Sequence, residues 1–97
     1  MAFIQMIDFR TKRLDAGRPY IEEYLTKTEG RRTARRSILC QDRDDADHYL
    51  NLVFFDSYES AMENSNLPET GELAAKLGEL SEEPEKFVNL EILDDRS

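Results

Sequence analysis

Two amides and a phenol set among apolar neighbours carry most of the chemistry this sequence offers. In residues 48–55, "HYLNLVFF", Tyr49 and Asn51 alternate with leucines, and Asn89 holds a similar place in "KFVNLEIL", residues 86–93. An Asn amide directed into an apolar pocket is the kind of donor that holds a carbonyl or phenolate oxygen. A Tyr hydroxyl can donate to a bound aromatic or act as a weak acid. Asn51, Tyr49 and Asn89 are therefore the candidate catalytic residues. Each also has an ordinary reading, since a strand Asn pairs with a neighbouring side chain or a water and a strand Tyr packs its ring.

The other reactive side chains are isolated. His48 is the only histidine and the only group with an ordinary pKa near neutrality. Beside Asp47 at the start of its apolar run, it reads as an edge residue that titrates freely. No second His or Cys stands at a ligand spacing, so no metal site is expected. Cys40 is the only cysteine and reads as a small core residue, because a nucleophilic thiol needs a base beside it. Arg35, in the run "RRTARR", could hold an acidic ligand in a forked geometry or simply keep an edge strand soluble.

These groups need elements to place them. Residues 2–10 read as a strand. A helix follows to about Glu29, with Asp15 or Gly17 in its N-cap region, Pro19 near its first turn and Gly30 as its stop. Its apolar stripe is Ile21, Tyr24, Leu25 and Thr28. Residues 32–41 form a second strand, the acidic segment 42–47 a hairpin connection, and 48–55 a third strand. Asp56 caps the next helix, with Glu59 as its capping-box partner. Pro68 starts another helix, with Leu73, Ala74, Leu77 and Leu80 as its stripe, and residues 86–93 form the last strand. The order is that of a ferredoxin-like α+β fold, βαββαβ, with one four-stranded antiparallel sheet in a single domain, residues 1–97.

Helices are expected against the more uniformly apolar side of each strand. That choice puts Ile4, Met6, Ile38, Cys40, Leu50, Leu52, Phe54, Val88, Leu90 and Ile92 inward, with His48 on the same side. It leaves Phe3, Ile7, Phe9, Leu39, Val53, Phe55 and Phe87 on an open face, more apolar surface than a monomer normally exposes. A second copy of the chain is the simplest cover, so a homodimer through this face is expected. The face also carries Gln5, Arg35, Ser37, Tyr49, Asn51, Asn89 and Glu91, and apolar walls with a few convergent polar groups suit a small ligand. Gln5, Arg35, Ser37, Val53, Phe87 and Glu91 are the candidate ligand-binding residues. Glu91 reads either as a buried base or as the partner of an arginine.

The element order, the apolar second face and "HYLNLVFFDSYESAMENSNLPET" together resemble the antibiotic biosynthesis monooxygenase-like family. The pattern rests on Tyr49, Phe54, Phe55, Asp56, Tyr58, Glu59, Ala61 and Met62. The resemblance implies a dimeric α/β barrel with a pocket between sheet and helices in each subunit. It further implies oxygenation of an aromatic or polyketide-type small molecule without metal, flavin or other cofactor. A second reading is a non-catalytic dimeric module that binds a small ligand or assembles, and a third is haem degradation. Active relatives of both kinds use a Trp, and this chain has none.

Composition narrows the partners. Residues 1–56 balance 10 basic against 10 acidic side chains, and residues 57–97 carry the whole net charge of −8. That acidity speaks against nucleic acid and against an anionic membrane surface. No apolar run approaches the ~20 residues of a membrane span, no leader pattern opens the sequence, and a lone cysteine gives no sign of an oxidising compartment. A soluble cytoplasmic protein is expected.

Overall fold

The computed structural model describes residues 2–97. Seven elements follow in order: β1 (Phe3–Arg10), α1 (Leu14–Lys27), β2 (Arg36–Gln41), β3 (His48–Phe55), α2 (Tyr58–Ser65), α3 (Pro68–Leu80) and β4 (Lys86–Glu91). The strands form one antiparallel sheet in the order β2-β3-β1-β4. The expected ferredoxin-like α+β fold is the observed one. The longest strands, β1 and β3, take the central places, where both of their edges are hydrogen-bonded.

Several boundaries differ from the sequence expectation for local reasons. The polar stretch ahead of β2 leaves the ladder, because Thr33 donates its N–H to Asn64 Oδ1 (3.2 Å) and its hydroxyl to the Ser60 carbonyl. Helix α1 starts at Leu14, after Thr11 Oγ1 accepts the Arg13 N–H at 2.9 Å, so Pro19 lies inside the helix rather than at its entrance. Gly30 has φ +83° and provides the left-handed stop. The α2 cap is Ser57, whose side chain accepts from the Ser60 N–H in a reciprocal capping box. Asp56 and Glu59 do not fill those roles, and Asp56 instead accepts from Arg35 Nε at 3.0 Å.

The faces of the sheet are the reverse of the expectation. Phe3, Phe55 and Ala61 form the buried core under α2, with Val53 and Met62 packed against it, and Phe3 meets Tyr58 edge-on at 5.6 Å. The register pairs Phe3 with Phe55, Gln5 with Val53 and Asn89, Ile7 with Asn51 and Phe87, and Phe9 with Tyr49. Cross-strand partners share a face, so this whole set looks toward the helices. Ile4, Met6, Ile38, Cys40, Leu50, Leu52, Phe54, Val88 and Leu90 occupy the side that no helix covers. Uniform apolarity marks the uncovered side because the helix side includes a cavity whose sheet wall carries Ser37 and Asn51 among apolar residues.

Helices α1 and α3 pack against each other through Gly17, where an added Cβ would lie 3.0 Å from Leu77 Cδ2. Polar side chains join this pair to α2. Tyr24 Oη lies 2.9 Å from Thr70 Oγ1, and the Thr70 hydroxyl donates to the Asn64 carbonyl at 2.8 Å. The buried Thr28 hydroxyl returns to the Tyr24 carbonyl at 2.6 Å. Thr28 and Tyr24 belong to the predicted α1 stripe, whereas Leu25 turns outward at 40% exposure. Among the described residues, no helix is long and apolar enough to cross a membrane.

Candidate functional site

The packed pair α1 and α3 does not rest flat on the sheet. Between them and the strands lies a cavity of about 230 Å³. Its sheet wall is Ile7 and Phe9 of β1, Ser37 and Leu39 of β2 and Asn51 of β3. Its helix wall is Leu14, Gly17, Arg18, Ile21 and Glu22 of α1 with Leu77 and Leu80 of α3, and Thr11, Arg13, Ser81 and Glu85 close its end. Alternation along the strands explains the sheet wall. Ile7, Asn51 and Leu39 form one cross-strand row, and Phe9 and Ser37 are two residues away on the same face.

Asn51 is the central polar group of this wall. The Ser37 hydroxyl donates to Asn51 Oδ1 at 3.0 Å. That bond fixes the amide's orientation and leaves the Nδ2 hydrogens without a partner among the described residues. An amide whose acceptor is occupied and whose donors are free suits an electron-rich oxygen. Asn51 and Ser37, expected on one face of the sheet, meet there, but that face is the helix side rather than an open one.

The other candidates are distributed around this pair. Tyr49 is buried one row away with its ring stacked on Phe9, centroids 5.5 Å apart, so it supports the cavity wall from behind. Val53 packs against the core cluster. Gln5, Asn89 and Glu91 lie on the helix-facing side in rows farther along the sheet and do not line the cavity. Phe87 continues the Ile7–Asn51 row but is 55% exposed at the β4 edge. Arg35 points away to its ion pair with Asp56, which raises the guanidinium's pKa and lowers that of the carboxyl.

Glu85 was missed by the sequence reading. Burial pushes its carboxyl pKa up, and it makes no ion pair or hydrogen bond with the other described residues. Its one sequence signal is parity, since it stands two residues before Phe87. Arg13, Arg18 and Glu22 also line the cavity but are exposed.

His48 belongs to the opposite face and does not titrate freely. Its Nδ1 lies 2.8 Å from Asp42 Oδ2 and its Nε2 lies 2.8 Å from Asp8 Oδ1. The hydrogen bond to Asp42, and then that to Asp8, raise the imidazole's pKa, while His48 lowers that of Asp42. Arg10, on the same face, pairs with Asp45. Cys40 is half-buried on this uncovered face rather than in the core. Among the described residues, no group of three or more His, Cys, Asp or Glu side chains is arranged to hold a metal ion.

A four-stranded antiparallel sheet with helices on one side and a cavity between the two layers defines the class of fold. Solved structures place it more narrowly. The chain is similar to Rv0793 from Mycobacterium tuberculosis, with TM-score 0.80 and 20% identity over 100% of both chains. It is also similar to SnoaB, a cofactor-independent oxygenase from Streptomyces nogalater, with TM-score 0.80 and 13% identity over 97% of this chain and 95% of that one. A structure of an antibiotic biosynthesis monooxygenase matches with TM-score 0.75 and 15% identity, over 97% of this chain and 100% of the other. At these identities the likeness establishes the fold of the single chain, the ferredoxin-like α+β fold expected from the sequence. No family model matches the chain. No curated protein matches it.

Proposed function

We propose that this chain is an antibiotic biosynthesis monooxygenase-like protein that binds a small hydroxylated aromatic molecule between its sheet and α1/α3 and oxygenates it without a cofactor. The observation that carries the reading is the cavity itself, apolar on most sides with the free donors of Asn51 at its wall. Its volume of about 230 Å³ exceeds the roughly 150 Å³ that admits benzene. It is smaller than the roughly 300 Å³ at which drug-sized pockets begin, which favours one or two fused rings. The fold shared with SnoaB supports the chemistry by analogy.

The aryl oxygen, ionised and held by Asn51, would donate electron density through the ring to O2. A ring C–H carbon becomes a carbonyl, and one atom of O2 enters the product. The other atom leaves as water with the ring and hydroxyl hydrogens. Oxygen uptake with 1-naphthol, 2-naphthol and hydroquinone tests the reading. It expects turnover on at least one of them and a loss in Asn51→Ala, and no uptake across the panel removes the oxygenase. A binding module without chemistry is the second reading, favoured by the placement of the chain's one histidine on the other side of the sheet.

The uncovered face supports a second copy as partner. Ile4, Met6, Ile38, Leu50, Leu52, Phe54, Val88 and Leu90 form a continuous apolar surface there, with Val88 and Leu90 each 38% exposed. The proposed dimer therefore uses this face and not the set of residues that the sequence first suggested. A soluble, cytoplasmic setting fits this proposal.

A further inference from the structure

We propose that Glu85 is the base that takes the hydroxyl proton of the aromatic ligand in this cavity. The ligand's O–H bond breaks with its electron pair left on the aryl oxygen, and the proton forms a new O–H bond on the carboxylate. The inference rests on the reading of the cavity as a ligand site and adds to it the group that generates the phenolate.

Four charged side chains line the cavity: Arg13, Arg18, Glu22 and Glu85. Glu85 alone among them is half-buried. Arg18 donates from Nε to Asp15 Oδ1 at 3.2 Å, whereas Glu85 has no partner among the described residues. Its loop is held at both ends. The Glu82 N–H donates to the Arg10 carbonyl at 2.9 Å, the Thr11 hydroxyl donates to the Leu80 carbonyl at 2.7 Å, and Lys86 begins the pairing of β4 with Asp8. The carboxyl is thus carried on an anchored segment at the cavity's end. Asn51 lies two strands away, about 10 Å across the sheet, a gap that the Glu85 and Asn51 side chains can close from opposite sides onto one ligand oxygen.

The local environment suits a base. Loss of water around Glu85 raises its pKa, which brings a carboxylate closer to the phenol it must deprotonate. The free donors of Asn51 then hold the anion that remains. Exposed Arg13 and Arg18 favour that anion, and exposed Glu22 opposes it more weakly through solvent.

The test uses 4-nitrophenol, whose ionised form has its own visible band, at a pH where the free probe is mostly neutral. The wild-type chain is expected to bind it saturably with the phenolate band present. Glu85→Gln, which keeps size and hydrogen bonding, should still bind in calorimetry but show the band reduced about tenfold or more, one pKa unit being tenfold. Glu85→Asp should recover part of it. An equal band in Glu85→Gln, or saturable wild-type binding with no phenolate band, overturns the base while leaving the cavity reading intact. No saturable binding to the wild-type chain overturns both.

Discussion

Replacing Asn51 by Asp keeps the side chain's shape and exchanges two N–H donors for a carboxylate at the cavity wall. The Ser37 hydroxyl still finds an oxygen to donate to, as it now does at 3.0 Å, so the fold should survive. An ionised ligand, however, loses its charge-assisted hydrogen bond and meets a like charge. A hydrogen bond to a charged group contributes about 1.5–3 kcal/mol, which corresponds to roughly 10- to 150-fold in Kd before repulsion is added. A neutral ligand loses only about 0.5–1.5 kcal/mol, or roughly 2- to 12-fold. The signature is therefore a penalty that grows with pH as the ligand ionises. Calorimetric titration of 2-naphthol into both proteins, below and above the ligand's own pKa, measures it. Equal affinities of wild type and Asn51→Asp for the naphtholate would refute the role given to Asn51.

Other perturbations probe the surrounding structure. Gly17→Ala gains about 1 kcal/mol of helix propensity but sets a Cβ 3.0 Å from Leu77 Cδ2. Leu77 should yield into the cavity it lines, so melting should show little change in Tm while ligand affinity falls several-fold. The raised His48 pKa gives a stability contribution that is full below the ordinary histidine value of about 6.5 and lost as pH rises through the folded value. The lowered Asp42 pKa gives a contribution present above the ordinary carboxylate value and lost as pH falls through the folded one. Both are present between about pH 4 and 6.5. The fall in Tm above that window should flatten in His48→Gln, and parallel pH profiles would contradict the assignment. Leu52→Asp places a charge between Met6 and Ile38 on the uncovered face. It should convert a dimer to monomer in sedimentation at micromolar concentration, whereas Asn51→Asp, one residue away on the other face, should leave the dimer unchanged.

Element order was legible in the sequence because the apolar period changes sharply, as between Phe55 and Tyr58, and because Gly30 and Pro68 punctuate the chain. The cap of α2 was misplaced by one residue, since Asp56 and Ser57 are both good caps; Arg35 engages Asp56 while Ser57 forms the reciprocal box with Ser60. Face assignment failed for a more general reason. Both sides of this sheet are apolar, and a rule that gives helices the purer side overlooks what a cavity needs. Gln5, Ser37, Asn51 and Asn89 make the helix side look mixed, while Ile4, Met6, Leu52 and Phe54 make the uncovered side look like a core. The pairing of Asn51 with Ser37 was within reach because both lie on adjacent strands. Glu85 was not, because it sits in a loop with no period. The partners of His48 were hidden for another reason, since Asp8 is 40 residues away along the chain.

The central claim is that the ligand site lies between the sheet and α1/α3, on the face carrying Asn51. Titrating isotope-labelled protein with 1-naphthol and following backbone and methyl resonances tests it most directly. The account predicts saturable shifts at Ile7, Phe9, Ser37, Leu39, Asn51, Leu77 and Leu80, with Ile4, Leu52 and Phe54 unmoved. Shifts centred on Ile4, Leu52 and Phe54, or no saturable shifts at all, would contradict it.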